Sequence, residues 1–238
     1  MVLIIHQIKF AVYVETSEMP RRARLVMDGG TYHVLTRGNN GQMLFQDDRD
    51  YQRYMDLLLP LVREHGVKVF HFVLMPTEVH MLMEVPLAEA LSKLMSGINL
   101  AYSWGYRKRY GYSGHLWQGR FLSLMIDPPG GLLACGRYVE LNPVRTGVVM
   151  HPKAYRWSSY HTYAEGTPHP LLSSHPHYPA LGSTARERQA RYRQFIQEGT
   201  IYPTIPPAAK MLPVGFPILR RSLGRPRKLE ALLQKPTF

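Results

Sequence analysis

Glu78 and His80 stand two residues apart within the stretch 69–85, VFHFVLMPTEVHMLMEV. Side chains in a strand repeat every second residue, so a carboxylate and an imidazole at this spacing project side by side from one face. They are two-thirds of a small metal site. A second pair, Tyr138 and Asn142, lies four residues apart, which places both on one face of a helix. A tyrosine can be a nucleophile that forms a covalent intermediate. An asparagine carbonyl oxygen is an acceptable ligand for Mg²⁺ or Mn²⁺. If that helix packs beside the strand, Glu78, His80, Asn142 and Tyr138 form one cluster. A metal held there would polarise a phosphate oxygen and ease attack on phosphorus. The tyrosine would attack a phosphodiester, stay joined to one DNA end and release the other as a hydroxyl. The bond energy is kept in the linkage, so the strand can be rejoined without ATP.

The elements that must position these residues are legible in the pattern. Thr31 to Arg37 alternates as a first strand, ended by the turn chemistry of Gly38-Asn39-Asn40-Gly41. Asp48 or Asp50 is expected to cap a helix to about His65, with Tyr51, Tyr54, Met55, Leu58 and Val62 inward, a kink at Pro60 and an end at Gly66. Lys68 to Met75 and Glu78 to Val85 form a hairpin about Met75-Pro76-Thr77. Leu87 to about Arg109 is a second helix with Leu91, Leu94, Met95, Ile98 and Tyr102 inward. Phe121 to Ile126 is a fourth strand, Asp127 to Gly131 a turn, and Leu132 to Leu141 a short helix stopped at Pro143. The order β-α-β-β-α-β-α predicts an α+β, ferredoxin-like (RRM-like) antiparallel sheet with helices on one face. Beyond about residue 150, Trp157, Tyr160 and Tyr163 can pack back on the core. Residues 165–182 read as a connecting loop, Thr184 to Gln197 as a basic helix, 200–217 as irregular and Pro-rich, and the end as a basic tail.

The chain has 238 residues, 29 Lys and Arg against 17 Asp and Glu, and a formal net charge of +12. A pI near 9.9 points to a polyanion, nucleic acid first and an anionic membrane surface second. One cysteine, Cys135, excludes an internal disulfide framework and a cysteine-rich zinc site, and suits a reducing cytoplasm. No apolar run approaches the length that crosses a bilayer. The first 18 residues lack the features of a signal peptide. The text from Met19 would itself make a start, so residues 1–18 are expected to lie outside the fold as an extension. Residues 19–165 are the expected catalytic domain, and 166–238 a Pro-rich, basic C-terminal extension.

On these residues the sequence resembles the REP-associated tyrosine transposases, within the single-tyrosine HUH transposases. The matching stretches are Met19-Pro20-Arg21-Arg22, Tyr32-His33-Val34 with Arg37-Gly38-Asn39-Asn40, Leu74-Met75-Pro76 and His80. They continue through Leu116-Trp117-Gln118-Gly119-Arg120-Phe121, 138–145 (YVELNPVR), Trp157-Ser158-Ser159-Tyr160 and 224–228 (GRPRK). The resemblance implies an α+β core, a divalent metal (Mg²⁺ or Mn²⁺), and cleavage of single-stranded DNA near hairpins through a 5′-phosphotyrosine. It carries the nucleophile to Tyr138, the second histidine of the metal motif to His80 and the polar third ligand to Asn142. It also implies a monomer or homodimer at work on DNA in the cytoplasm, associated with the nucleoid. One departure matters: the family usually has His-hydrophobic-His, and here the first position is Glu78. A carboxylate suits Mg²⁺ or Mn²⁺ better than an imidazole. It also opposes an incoming phosphate, by roughly 4 kcal/mol at 4 Å and an effective dielectric of about 20.

The candidate DNA contacts are Arg37 and Asn39, then Arg107, Lys108 and Arg109 in a basic-aromatic segment, then Arg120 and Arg145. The tail adds Arg225, Arg227 and Lys228. Bland readings stand beside them: cations at a helix C-terminus are favoured by its dipole, and a basic tail is often merely solvated. Glu84 reads as a surface carboxylate, His71 and Met75 as packing residues, and Cys135 as a small buried hydrophobe. Glu140, offset by two from Tyr138, should face away from it. Two rivals remain. One is a DNA-binding protein descended from such enzymes, its chemistry lost through Glu78. The other is an RNA-binding module, for which an aromatic RNP stripe is lacking.

Overall fold

The computed structural model describes residues 26–126 and 131–201. Four strands form one antiparallel sheet: β1 (Thr31–Arg37), β2 (Lys68–Met75), β3 (Glu78–Glu84) and β4 (Leu122–Met125), in the order β2-β3-β1-β4. That is the ferredoxin-like order, with β1 and β3 in the middle. The hairpin register pairs Met75 with Glu78 and Val73 with His80. Across β1, Arg37 pairs with Glu78 and Leu35 with His80. One face of the sheet therefore carries His71, Val73 and Met75, then Glu78, His80 and Leu82, then His33, Leu35 and Arg37.

The opposite face is apolar. Tyr32, Val34, Phe72, Leu74, Val79, Met81 and Met83 meet α1 (Asp48–Glu64) and α2 (Ala88–Tyr110) there, in the main core. These helices share one face, as expected. Their inward residues are the expected ones: Tyr51, Tyr54, Met55, Leu58 and Val62 on α1, and Leu91, Leu94, Met95, Ile98 and Tyr102 on α2. The cap of α1 differs. Asp47, not Asp48 or Asp50, accepts the backbone N–H groups of Arg49 (3.0 Å) and Asp50 (3.3 Å). Asp50 instead lies buried, accepting from the Tyr110 hydroxyl at 2.7 Å. Pro60 sits inside an unbroken α1, and Gly66 follows its end with φ of 63°.

The histidine-bearing face is covered by α3 (Gly131–Glu140), through Leu132, Cys135 and Val139 packed on Val73, Met75 and Leu82. The sheet is thus covered on both sides. A one-turn helix α4 (Asn142–Arg145) follows α3, then α5 (Tyr160–Glu165) and α6 (Ala185–Ile201). Tyr160, Tyr163, Tyr192 and Ile196 form a further cluster with Leu141. α6 therefore packs on the α3 side through Tyr192 and Ile196, while Leu171 in the preceding loop joins the main core. The loop between α5 and α6 is pinned to β2 by the Ser173 N–H to Val69 carbonyl bond, 2.8 Å. The expected extension 1–18, the Met19–Arg22 match, most of the Asp127–Gly131 turn, the irregular segment after residue 201 and the tail with Arg225, Arg227 and Lys228 lie outside the described residues.

Candidate active site

Glu78 and His80 stand side by side on β3, as strand alternation dictates, with Glu78 Oε1 3.1 Å from His80 Nε2. An ionised carboxylate only accepts, so His80 donates from Nε2. Its other nitrogen, Nδ1, lies 3.0 Å from Nε2 of His33. The two rings are stacked, 5.2 Å between centroids. Glu78, His80 and His33 thus form a row across β3 and β1. His33 is a diagonal neighbour of His80, since the register sets His33 opposite Leu82. It is 2% exposed. Burial, with the His80 ring beside it, pushes His33 down to about 3, so it is neutral and works as a hydrogen-bonding group. Sequence reasoning missed His33 as a site residue. The available signal was its place on the same alternating face as Arg37, but only the register brings that face beside His80.

Tyr138 comes to this row from α3. Its ring stands edge-on to His33 at 5.7 Å and to His80 at 6.3 Å. It is half-buried, and the Arg145 guanidinium lies 4.2 Å from its ring centre. Arg37 holds Nε 3.6 Å from Glu78 Oε2. Burial alone would raise the Glu78 carboxyl. The His80 hydrogen bond and the nearby His80, Arg37 and Arg145 charges outweigh it and hold Glu78 below the usual carboxylate range. The charge expected to repel a phosphate is therefore flanked by two cations.

Asn142 is buried at the start of α4, one residue beyond the end of α3. The ladder of α3 runs to the Leu141 N–H to Arg137 carbonyl bond (3.0 Å) and resumes with Arg145 N–H to Leu141 carbonyl (2.9 Å). Pro143, which has no N–H, sits in the gap. Leu141 itself keeps right-handed helical backbone angles, so the chain winds on from α3 into α4. Among the described residues, the Asn142 side chain makes no hydrogen bond to Glu78, His80 or Tyr138. Its carbonyl accepts from Thr146 N and Oγ1 (3.0 and 2.8 Å), and its amide Nδ2 is buried without a partner.

The other candidates divide. Gln118 N–H donates to the Arg37 carbonyl at 2.8 Å and Asn39 N–H to the Leu116 carbonyl at 2.8 Å, so the 116–120 loop is stitched to the end of β1. Gly38 allows the turn after β1 to close, because a Cβ there would collide with the Gln42 carbonyl. Exposed Arg120 follows on that loop. Arg37, Asn39 and Arg120 thus belong to the Glu78 end of β1, and Arg145 to the Tyr138 side. Arg107, Lys108 and Arg109 end α2, which packs on the opposite face of the sheet. Arg109 is engaged by Asp47 (2.5 Å) and Asp50 (2.6 Å), bracing the start of α1. Arg107 donates to the Gly114 carbonyl at 2.8 Å, and Lys108 sits over Trp104.

Among the described residues, no group of three or more His, Cys, Asp and Glu side chains is arranged to hold a metal. Glu78 and His80 have the spacing for one once the His80 proton moves to Nδ1, towards His33, and frees Nε2. Two neighbouring ligands of an octahedral ion with bonds near 2.1 Å stand about 3 Å apart, and these stand 3.1 Å apart. Mg²⁺ characteristically takes one or two carboxylates and completes its shell with water and phosphate. His33 would then orient the His80 ring through Nδ1.

The model of the family described as "Transposase IS200 like" matches residues 27–142. Over those residues the chain is similar to the IS200-like transposases. The fold is also that of a REP-associated tyrosine transposase whose structure was solved bound to a REP hairpin. That likeness has 18% identity and a TM-score of 0.51, covering 66% of this chain and 93% of the other. A transposase candidate from Deinococcus radiodurans is 16% identical, with a TM-score of 0.35 over 45% of this chain and 87% of the other. No curated protein sequence matches the chain. The transposase match ends at Asn142, so it holds the whole sheet and α3 and leaves out α5 and α6.

Proposed function

We propose that this chain is an IS200-like transposase that cuts and rejoins single-stranded, hairpin-bearing DNA with Tyr138 as nucleophile. The observation that carries the reading is the approach of Tyr138, edge-on to both His33 and His80, with Arg145 over its ring. The Tyr138 oxygen forms a bond to phosphorus as it loses its proton. The P–O3′ bond breaks, and the departing 3′ oxygen takes up a proton. One strand end is left as a 5′-phosphotyrosine and the other as a free hydroxyl. Rejoining is the reverse attack by a 3′ hydroxyl, and the linkage keeps the energy of the broken bond.

The work of this chain's residues is positioning and charge. Arg37, Arg145 and Arg120 attract and align the phosphate backbone. Glu78 and His80 would hold a Mg²⁺ or Mn²⁺ ion, with Asn142 as a further candidate ligand. The ion supplies Lewis-acid polarisation of a non-bridging phosphate oxygen. His33 keeps the His80 ring in one orientation by its 3.0 Å contact. The net charge of +12 and the solved likeness to a hairpin-bound protein support DNA as the partner.

A second reading has an observation of its own. Glu78 is already satisfied by His80 and Arg37 without any ion, which suits a hairpin binder that no longer cuts. One experiment separates the two. The protein is incubated with Mn²⁺ and a pool of hairpin-flanked single-stranded oligonucleotides, then denatured. The expected result is a DNA adduct that survives denaturation, disappears in Tyr138→Phe and is preserved or increased in Glu78→His. Tight binding without an adduct would select the binder. An adduct that persists in Tyr138→Phe would remove Tyr138 from the nucleophile role.

A further inference from the structure

Two residues from Tyr138, beneath the same helix, lies a carboxylate that the chemistry above does not use. Glu140 is fully buried. Its Oε1 accepts from Ser159 Oγ at 2.6 Å and lies 2.8 Å from His71 Nδ1. Its Oε2 accepts from the Tyr192 hydroxyl at 2.8 Å. The partners come from three elements: β2, the residue preceding α5, and α6. A buried carboxylate is tolerated only when hydrogen-bonded, so the four groups have one low-energy arrangement and resist sliding.

The helix they hold needs holding. α3 has 10 residues, shorter than the roughly 12–15 at which an isolated helix becomes even marginally stable. Its direction is therefore set by what it is tied to. His71 ties it twice, at Glu140 and again under Gly136, where a Cβ would collide with the His71 ring. Tyr138 has packing but no polar anchor of its own. Among the described residues its hydroxyl makes no hydrogen bond, and its ring meets His33, His80 and Arg145 at the edge of the apolar cluster beneath α3. The rotation of α3 about its own axis decides where that hydroxyl points.

We infer that Glu140 is a positioning residue, a pin that fixes the rotation of α3 and so aims Tyr138 at the His33–His80 row. Tyr192 makes α6 part of that pin. The segment beyond the family-matched residues thereby contributes to strand cleavage without touching DNA. This rests on Tyr138 being the nucleophile. A misplacement of about 1 Å at a reacting group costs on the order of 100-fold in rate, so a small loosening of the pin should be felt in the chemistry and not in binding.

The test uses the full chain with Tyr192→Phe and Glu140→Gln, Mn²⁺ and the hairpin-flanked oligonucleotide pool. Three quantities are read: the single-turnover rate of adduct formation, the Kd for the hairpins, and the fluorine resonance of a fluorotyrosine placed at position 138 alone. Tyr192→Phe is expected to slow adduct formation about 10- to 100-fold with Kd unchanged, and to shift or broaden the resonance. Glu140→Gln, which keeps an acceptor oxygen and the side chain's shape, should fall between Tyr192→Phe and Glu140→Ala. A parental rate with a parental resonance in Tyr192→Phe and Glu140→Gln would overturn the inference. So would binding lost in step with cleavage, because the effect would then belong to the whole fold. If the parent forms no adduct, the nucleophile reading falls and the resonance decides alone: moved by both substitutions, Glu140 still sets Tyr138; unmoved, it does not.

Discussion

Two histidine–carboxylate pairs lie under the same ten-residue helix, and they are built differently. His71 and Glu140, 2.8 Å apart, are both fully buried, and each Glu140 oxygen has a protein donor. His80 and Glu78, 3.1 Å apart, sit where the Glu78 side chain is 19% exposed, and arginines flank it. Burial makes the first pair depend on having every partner. Partial exposure lets the second exchange a partner for water, a metal ion or a phosphate. The same two side-chain types thus serve as a fixture in one place and as a candidate reaction centre in the other. The difference lies in what surrounds them.

The largest effect should come from breaking the fixture. Glu140→Ala strands the Ser159, Tyr192 and His71 groups in the interior, and is expected to lower stability by about 3–5 kcal/mol. At roughly 2–4 °C per kcal/mol for a chain of this size, a thermal melt should show a drop of about 10 °C. Next, His80→Ala should reduce adduct formation by about 10²–10³-fold and lower Tm less than Glu140→Ala does; equal losses of Tm would erase the contrast. His33→Leu removes the group that orients His80, and a 10–100-fold loss of metal affinity or cleavage is expected, read by Mn²⁺ titration of the cleavage rate.

The most gradual effect, spread over several pH units, is on acid stability. His175 lies beside His71, 5.1 Å between ring centres, and near His177. Burial, with those two rings, pushes it down to about 3. Its folded value is below its unfolded one, so the unfolded chain takes up the proton first. Stability from this group is therefore complete above pH 6.5 and declines as pH falls towards 3. The decline is at most about 1.4 kcal/mol per pH unit. His175→Asn keeps an acceptor for the His177 N–H and should flatten the slope of unfolding free energy between pH 4 and 6 by one proton. An unchanged slope would remove His175 from the set of groups buried as neutral.

Much of this was legible in the chain before folding, because local periodicity decides it. Alternation set Glu78 and His80 on one face, three- and four-residue steps chose the buried stripes of α1 and α2, and the element order pointed to the antiparallel sheet. The offset of two residues turned Glu140 away from Tyr138. Other features depend on contacts between residues far apart in sequence. His33 joins His80 only through the β1–β3 register, because its position in the strand does not name its neighbour. Asn142 shares a helical spacing with Tyr138, and the break between α3 and α4 falls on a single residue, Leu141. His71, read as a packing residue, is a packing residue with a polar duty, since its partners come from 69, 88 and 104 residues away or more indirectly through Glu140. The sequence by itself determined which side chains could do chemistry and which face of its own element each would take. The tertiary structure alone decided which of those faces meet, because that depends on strand register and on how a short helix is tied down across the fold.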